Sequence, residues 1–399
     1  MLLHLLCNLL FSVTTALCSM RIMTVSGYGA LPFDMQSELQ KSLKWFENAF
    51  HVTKHPQPVT LDDVIHRIPE YRRFSTVFVQ TPEKNANFPM KSDNFQNLLA
   101  FADFTVFVVS KDPAKCQLDP GLLAEALPIS LAADTRPPLA IMSICPRDRH
   151  PVPFFDLFRH EILHGMGYGL IIDKSKLTVK KSEKYTWKTP KGGQPAIRHY
   201  LDFDDFALKV AKDHFKCQTM VGVEADGERK NHLNEYIFGN ELMTTDLEAS
   251  GNIFSYISAA IIERTYNGKE QWYKVNQTFI HAEASQYKFA KNFGCEFLTK
   301  SCFEFINHVE RSNNSRTIEP FCSRNDKNMC YGPPGLPSRH LKADCTPLNV
   351  FSQQVADNGV KPTYGFSSQI SQRRFCPIIK NSQNLPPNYE LGPCPGATG

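Results

Sequence analysis

Two histidines four residues apart, with a glutamate directly after the first, leave the backbone little choice in the segment His160-Glu161-Ile162-Leu163-His164. Only a helix sets positions i and i+4 side by side on one face, where two imidazoles can chelate one zinc ion. The glutamate between them then projects beside the metal, placed to take a proton from bound water. The flanks suit a helix. Pro151 and Pro153 stand where one could begin, since the first turn has no use for the missing N–H. Phe154, Phe155, Leu157, Phe158, Ile162 and Leu163 carry apolar surface through the following turns. Gly167 and Gly169 bracket Tyr168 where the helix would stop on a glycine in the left-handed region. A buried amphipathic helix with two hydrogen-bonded histidines is the plain alternative that the spacing leaves open.

A chain of 399 residues is too long for one small core, so two or three packed subdomains are expected. With 42% hydrophobic and 21% charged residues it reads as ordinary globular protein, and a net charge of +4 is too mild to imply nucleic acid. The first 20 residues carry no Lys, Arg, Asp or Glu, and Leu2 to Leu17 is largely apolar. That length suits a signal peptide better than a membrane span, so residues 1–19 are read as a leader and the mature chain as secreted. Gly396 to Gly399 offers no hydrophobic segment for a lipid anchor. Cysteines support export. Setting aside Cys7 and Cys18 leaves ten, an even number, and seven of these crowd into the last 105 residues without CxxC pairs. That pattern predicts a disulfide-rich C-terminal module, and the sequons beginning at Asn276 and Asn313 are compatible with a glycoprotein. Cys116 and Cys145, the only mature cysteines of their half, are expected to pair.

Apolar spacing over residues 33–50 predicts an amphipathic helix, while Phe74 to Gln80, Phe104 to Val109 and Leu139 to Cys145 read as strands. Together they predict an α+β unit with a mixed sheet that leads into the HExxH helix. Lys174 to Gly193, with seven lysines and a Gly-Gly, reads as a solvated loop. Residues 206–216 and Ile253 to Tyr266 read as helices, the second buried. A catalytic zinc takes three protein ligands and keeps one position open. His199, His214, His281, His308 and His340 read as structural or surface histidines. Two schemes compete for the third ligand. In one, His232 binds the metal and Met243, eleven residues on, forms an apolar floor beneath it. In the other, Asn240 and Glu241 with Asp246 imitate the NExxxD pattern of thermolysin-like enzymes, with the aspartate one residue late.

The motifs HEILHGMGY at 160–168, HLNEYIFGNELMT at 232–244, WYKVN at 272–276 and GCEFLTKSC at 294–302 resemble the leishmanolysin family of metzincin proteases. Ordinary metzincins place the third histidine six residues after the second, whereas this family inserts a long segment, here 67 residues between His164 and His232. The likeness runs from about Arg21 to near the C-terminus. It implies that His160, His164 and His232 hold one Zn2+ per chain, that Glu161 is the general base, that Gly167 is the turn and that Met243 is the Met-turn residue. It also implies a metzincin-type catalytic domain: an N-terminal subdomain at 20–169, a central Met-turn subdomain at 170–290 and a Cys-rich subdomain at 291–399. No other cofactor is implied. The activity implied is that of a secreted metalloendopeptidase acting on extended protein or peptide substrates. A catalytically silent homologue working in cell adhesion, at the cell surface or by binding extracellular-matrix or host proteins, is the competing expectation. Family members carry an inhibitory propeptide, whereas this chain passes almost directly from its apolar leader to Arg21.

Overall fold

A computed structural model describes residues 18–27, 31–53, 58–111, 113–118, 122–132, 136–145, 153–170, 182–189, 192–201, 205–245, 247, 251–265, 271–301, 304–305, 308–309, 329–332, 341–342 and 390–393. The chain divides into two units, one of Met1–Thr178 with Phe254–Gln286 and the other of Val179–Ile253 with Tyr287–Gly399. The first unit runs through β1 (Cys18–Ser19), β2 (Ile22–Gly27), α1 (Phe33–Ala49), β3 (Phe50–Val52) and α2 (Leu61–Arg67). It continues with β4 (Thr76–Gln80), β5 (Asn85–Pro89), α3 (Asp93–Phe101), β6 (Phe104–Ser110), α4 (Pro113–Leu118), β7 (Ala124–Ile129), β8 (Leu139–Ile144) and α5 (Phe154–Gly165).

Six of these strands form a mixed sheet in the order β5-β4-β2-β6-β8-β7. β2, β6 and β8 are parallel, while β4, β5 and β7 run antiparallel to their neighbours. β6 is apolar without alternation because both its faces are covered, and its first five residues are all buried. One face packs Met23, Val25, Phe107 and Leu139 against Val64, Ile68, Tyr71, Phe95 and Leu99. The Tyr71 hydroxyl, buried there, donates within reach of the Val25 and Val108 carbonyls, at 2.7 and 2.9 Å. Ala140 and Phe104, one position out of phase with Leu139 and Phe107, face the other way and meet the end of α5. Gly165 is required at that contact. A Cβ there would stand 2.7 Å from Ala140 Cβ and 3.4 Å from Phe104 Cζ. α1 is tied to the start of α5 by Ser42 Oγ, which donates to Phe155 O at 3.1 Å.

The second unit opens with β9 (Ser182–Thr189) and β10 (Gly192–Tyr200), paired from Gly192↔Thr189 to His199↔Ser182. This corrects the expected loop, because from residue 182 onward the lysine-rich segment is a hairpin. Lys184, Thr186 and Lys188 are exposed and alternate with Glu183, Tyr185 and buried Trp187, a period-two pattern that the lysine content masks. There follow α6 (Asp205–Phe215), β11 (Glu224–Ala225), which pairs with β10, and α7 (Glu235–Phe238). The chain then re-enters the first unit with α8 (Tyr256–Glu263), β12 (Tyr273–Val275) and α9 (Gln277–Ala284). α8 is shorter than the expected 253–266 helix because Ser255 caps it, its side chain accepting from the amides of Ile257 and Ser258. β12 pairs with β3, and β3 with β1, in a small separate sheet. α10 (Gly294–Thr299) belongs to the second unit, as do β13 (Met329–Gly332), β14 (Leu341–Lys342) and β15 (Glu390–Pro393), which form a fourth sheet.

Cys116 pairs with Cys145 as expected, Cys217 pairs with Cys295, and no cysteine is free among the described residues. Residues 1–17, most of the proposed leader, lie outside the described residues, as do Cys302, Cys322, Cys345, Cys376 and Cys394 of the expected C-terminal module. No helix among the described residues is long and apolar enough to cross a membrane.

Candidate metal centre

α5 is buried from Asp156 to Gly165, so its two histidines and Glu161 sit on a helix with almost no solvent around it. Pro153 occupies the cap position, and its carbonyl accepts the first helical bond, from Leu157 N at 2.9 Å. The C-terminus is a Schellman turn. Tyr168 N–H donates back to Leu163 O at 3.0 Å and Gly167 N–H to His164 O at 2.9 Å. The reversal needs φ 107° at Gly167, a conformation that a side chain would strain. It also turns the Tyr168 carbonyl back onto His164 Nδ1 at 3.1 Å, while the Tyr168 hydroxyl bonds Ser258 Oγ at 3.0 Å. A carbonyl can only accept, so Nδ1 carries the proton and Nε2 presents its lone pair. That lone pair faces His160 Nε2 at 3.1 Å. Burial first, and then the neighbouring His160, push His164 down to about 3, so it is neutral at physiological pH, as a metal ligand must be.

Glu161 is 5% exposed, and its Oε2 is buried without a hydrogen-bond partner among the described residues. Burial, with a smaller contribution from the Glu125 charge, pushes it up to about 8, against a backbone hydrogen bond at Ala126 and the Lys111 charge. Ala126 and Glu125 lie on β7 and Lys111 just past β6. The buried Lys111 ammonium pairs with Glu125 at 2.6 Å. Sequence reasoning missed this cation, because nothing in a single lysine reveals that the sheet will bury it.

In the second unit, the backbone at His232 is held on both sides. Its carbonyl accepts from Asp226 N at 3.0 Å, and the next residue, Leu233, donates to Met243 O at 2.9 Å. Met243 is fully buried in a tight turn. There its amide donates to Glu241 Oε2 at 2.5 Å, and the Glu241 carbonyl accepts from Thr244 Oγ1 at 2.7 Å and Asn252 Nδ2 at 3.1 Å. α7 ends at Phe238, so the segment from Asn240 is not helical, and the buried Glu241 carboxylate serves the turn. Asp246 lies outside the described residues. His214 bonds Phe289 O through Nε2, and His281 bonds the Tyr256 hydroxyl through Nδ1.

Within the first unit, His160 and His164 bring two imidazoles together on one face of α5, where they could share a metal ion. The donor set suits a catalytic zinc, with two imidazoles and a carboxylate beside them and room in the ligand count for a third. The pair distance suits it as well. Nitrogens about 2.0–2.1 Å from a tetrahedral ion stand about 3.3 Å apart, and the 3.1 Å between the Nε2 atoms of His160 and His164 is close to that chord.

Similarity to known proteins points the same way. The sequence profile of the leishmanolysin family matches residues 68–386. A leishmanolysin-like peptidase of Caenorhabditis elegans is 24% identical over 265 residues, covering 55% of this chain and 38% of the relative. One of Caenorhabditis briggsae is 24% identical over 266 residues, covering 56% and 38%. The chain thus spans well under half the length of these curated relatives. With the profile matched over most of its length, the chain belongs to the leishmanolysin family.

Proposed function

We propose that the chain is a zinc-dependent endopeptidase of the metzincin type, with His160, His164 and His232 as metal ligands, Glu161 as general base and Met243 as the Met-turn residue. The observation that carries the reading is the pair of buried imidazoles one helical turn apart, beside a buried carboxylate whose Oε2 has no partner among the described residues. Zinc bound there would supply a Lewis acid and lower the pKa of water toward about 7. The chain's own groups do the rest. Glu161 takes the proton of the attacking water and hands it to the leaving amine. The Tyr168 carbonyl holds His164 in the ligating tautomer, and Gly167 makes that contact possible. Buried Met243 contributes packing and does no chemistry. Membership of a family whose relatives are named peptidases supports the reading, with extended peptides as the substrate class. Two disulfides support an oxidising, extracellular setting.

The test is zinc stoichiometry alongside quenched-peptide cleavage, for wild type and Glu161→Gln, with and without chelator. We expect one zinc per chain in both proteins and chelator-sensitive cleavage in wild type, falling by several orders of magnitude in the variant. Bound zinc without cleavage in either protein would favour an adhesion role, and absence of zinc would remove the reading altogether.

A further inference from the structure

The residue just before the first histidine is an arginine buried to 2% exposure, and a buried guanidinium requires a reason. Arg159 Nη1 donates to both oxygens of Glu283 on α9, at 2.7 and 2.8 Å, and Nη2 donates to Asp156 one turn earlier on α5 at 2.6 Å. Its Cζ lies over two rings, 4.9 Å from the ring centroid of Trp45 on α1 and 4.4 Å from that of Phe155. Glu283 gathers further donors, Trp45 Nε1 at 3.2 Å and the Phe254 amide at 2.8 Å. One carboxylate therefore joins α5 to α1, to α9 and to the chain entering α8, all within the first unit. Apolar packing alone would hold α5 to the sheet but would allow it to slide and turn. A planar fork bound on two sides fixes both rotation and axial register. Arg159 sits about 100° around the helix from His160 and about 140° from His164, so the fork grips α5 about a third of a turn from the face that carries the imidazoles. A side-chain atom about 5–6 Å from the helix axis moves about 1 Å for each 10° of rotation, enough to spoil a coordination geometry that tolerates a few tenths of an ångström.

We infer that Arg159, clamped by Glu283 and Asp156, is a positioning residue that sets the rotation of α5 and so the placement of His160 and His164 at the metal. The inference rests on the metal-site reading above. Its test uses the full-length chain. Zinc affinity is measured by chelator competition, and the visible absorption bands of the cobalt-substituted protein are recorded. Arg159→Lys keeps the charge but loses the fork, and Glu283→Gln keeps the shape but loses the carboxylate. Leu99→Ala, in the apolar cluster on the far face of the sheet, serves as a destabilised control. Both clamp variants are expected to bind zinc about 10- to 100-fold more weakly and to shift the cobalt bands, with kcat falling more than KM rises. Leu99→Ala should lower the melting temperature and leave affinity and bands as in wild type. Clamp variants that melt lower yet keep wild-type affinity and cobalt bands would overturn the positioning role alone. Failure of wild type to bind either metal would overturn the metal-site reading and this inference with it. Should Glu283→Gln not fold, Arg159→Lys carries the same comparison.

Discussion

Glu161 and His164 sit three residues apart on one buried helix, and burial drives their proton affinities in opposite directions. In the metal-free chain, Glu161 is raised from 4.5 to about 8, so the stability it contributes is complete below pH 4.5 and lost as pH rises through 8. His164 is lowered from 6.5 to about 3, so its contribution is complete above pH 6.5 and lost as pH falls toward 3. Between 4.5 and 6.5 the two slopes offset. Of these two groups, only Glu161 differs in charge between the folded and the unfolded chain from pH 6.5 to 8. The unfolding free energy of the metal-free chain should therefore fall across that window, and in Glu161→Gln it should not; urea midpoints measured every half pH unit check this. The identities of these two residues, with His160, were legible in the sequence because i, i+4 spacing is a local property. The partners that prepare them were not. Arg159 and Glu283 are 124 residues apart, and Lys111 meets Glu161 only because β6 and β7 belong to the same sheet.

At the scale of elements, the periodic segments were readable and the short ones were not. α1 was expected at 33–50 and observed at Phe33–Ala49, and β6 and β8 stand where unbroken apolar runs put them. β2, a central strand, escaped because its six residues closely follow the apolar N-terminal stretch and carry no turn signal before them. The β9–β10 hairpin escaped because lysines occupy its exposed positions. Gly165 decides how closely α5 can lie on the sheet, although in the sequence it looks like a weak helix residue. Replacing it with alanine would improve helix propensity by about 1 kcal/mol, yet its Cβ would meet Ala140 Cβ at 2.7 Å. Overpacking of that kind costs about 1–3 kcal/mol, so Gly165→Ala should be neutral to destabilising by about 2 kcal/mol. The double variant Gly165→Ala/Ala140→Gly should be more stable than the sum of the single changes allows. A double-mutant cycle on urea midpoints measures that coupling, and strict additivity would mean that α5 does not press on β8 through this pair.

The sequence offered no sign that the first unit is discontinuous, with residues 254–286 returning to it after the chain has entered the second. Return is encoded in pairings between distant residues, β12 with β3 and Glu283 with Arg159, which no local pattern announces. The second unit is consequently built from two stretches of chain, and the Cys217–Cys295 bond joins them across a separation of 78 residues. Closing a loop of that length restricts the unfolded chain by about 4–5 kcal/mol in the loop-entropy account. The loss on removing the bond should fall on the second unit, where both cysteines lie. Three tryptophans allow this to be read by unit. Trp187 is buried in the second unit, whereas Trp45 and Trp272 are buried in the first. In a Cys217→Ser/Cys295→Ser chain, the red shift of Trp187 emission should move to clearly lower denaturant. The Trp45 and Trp272 signals, isolated by Trp187→Phe, should move less. Equal shifts from all three would show that the two units unfold as one cooperative body, and that the disulfide stabilises the whole chain.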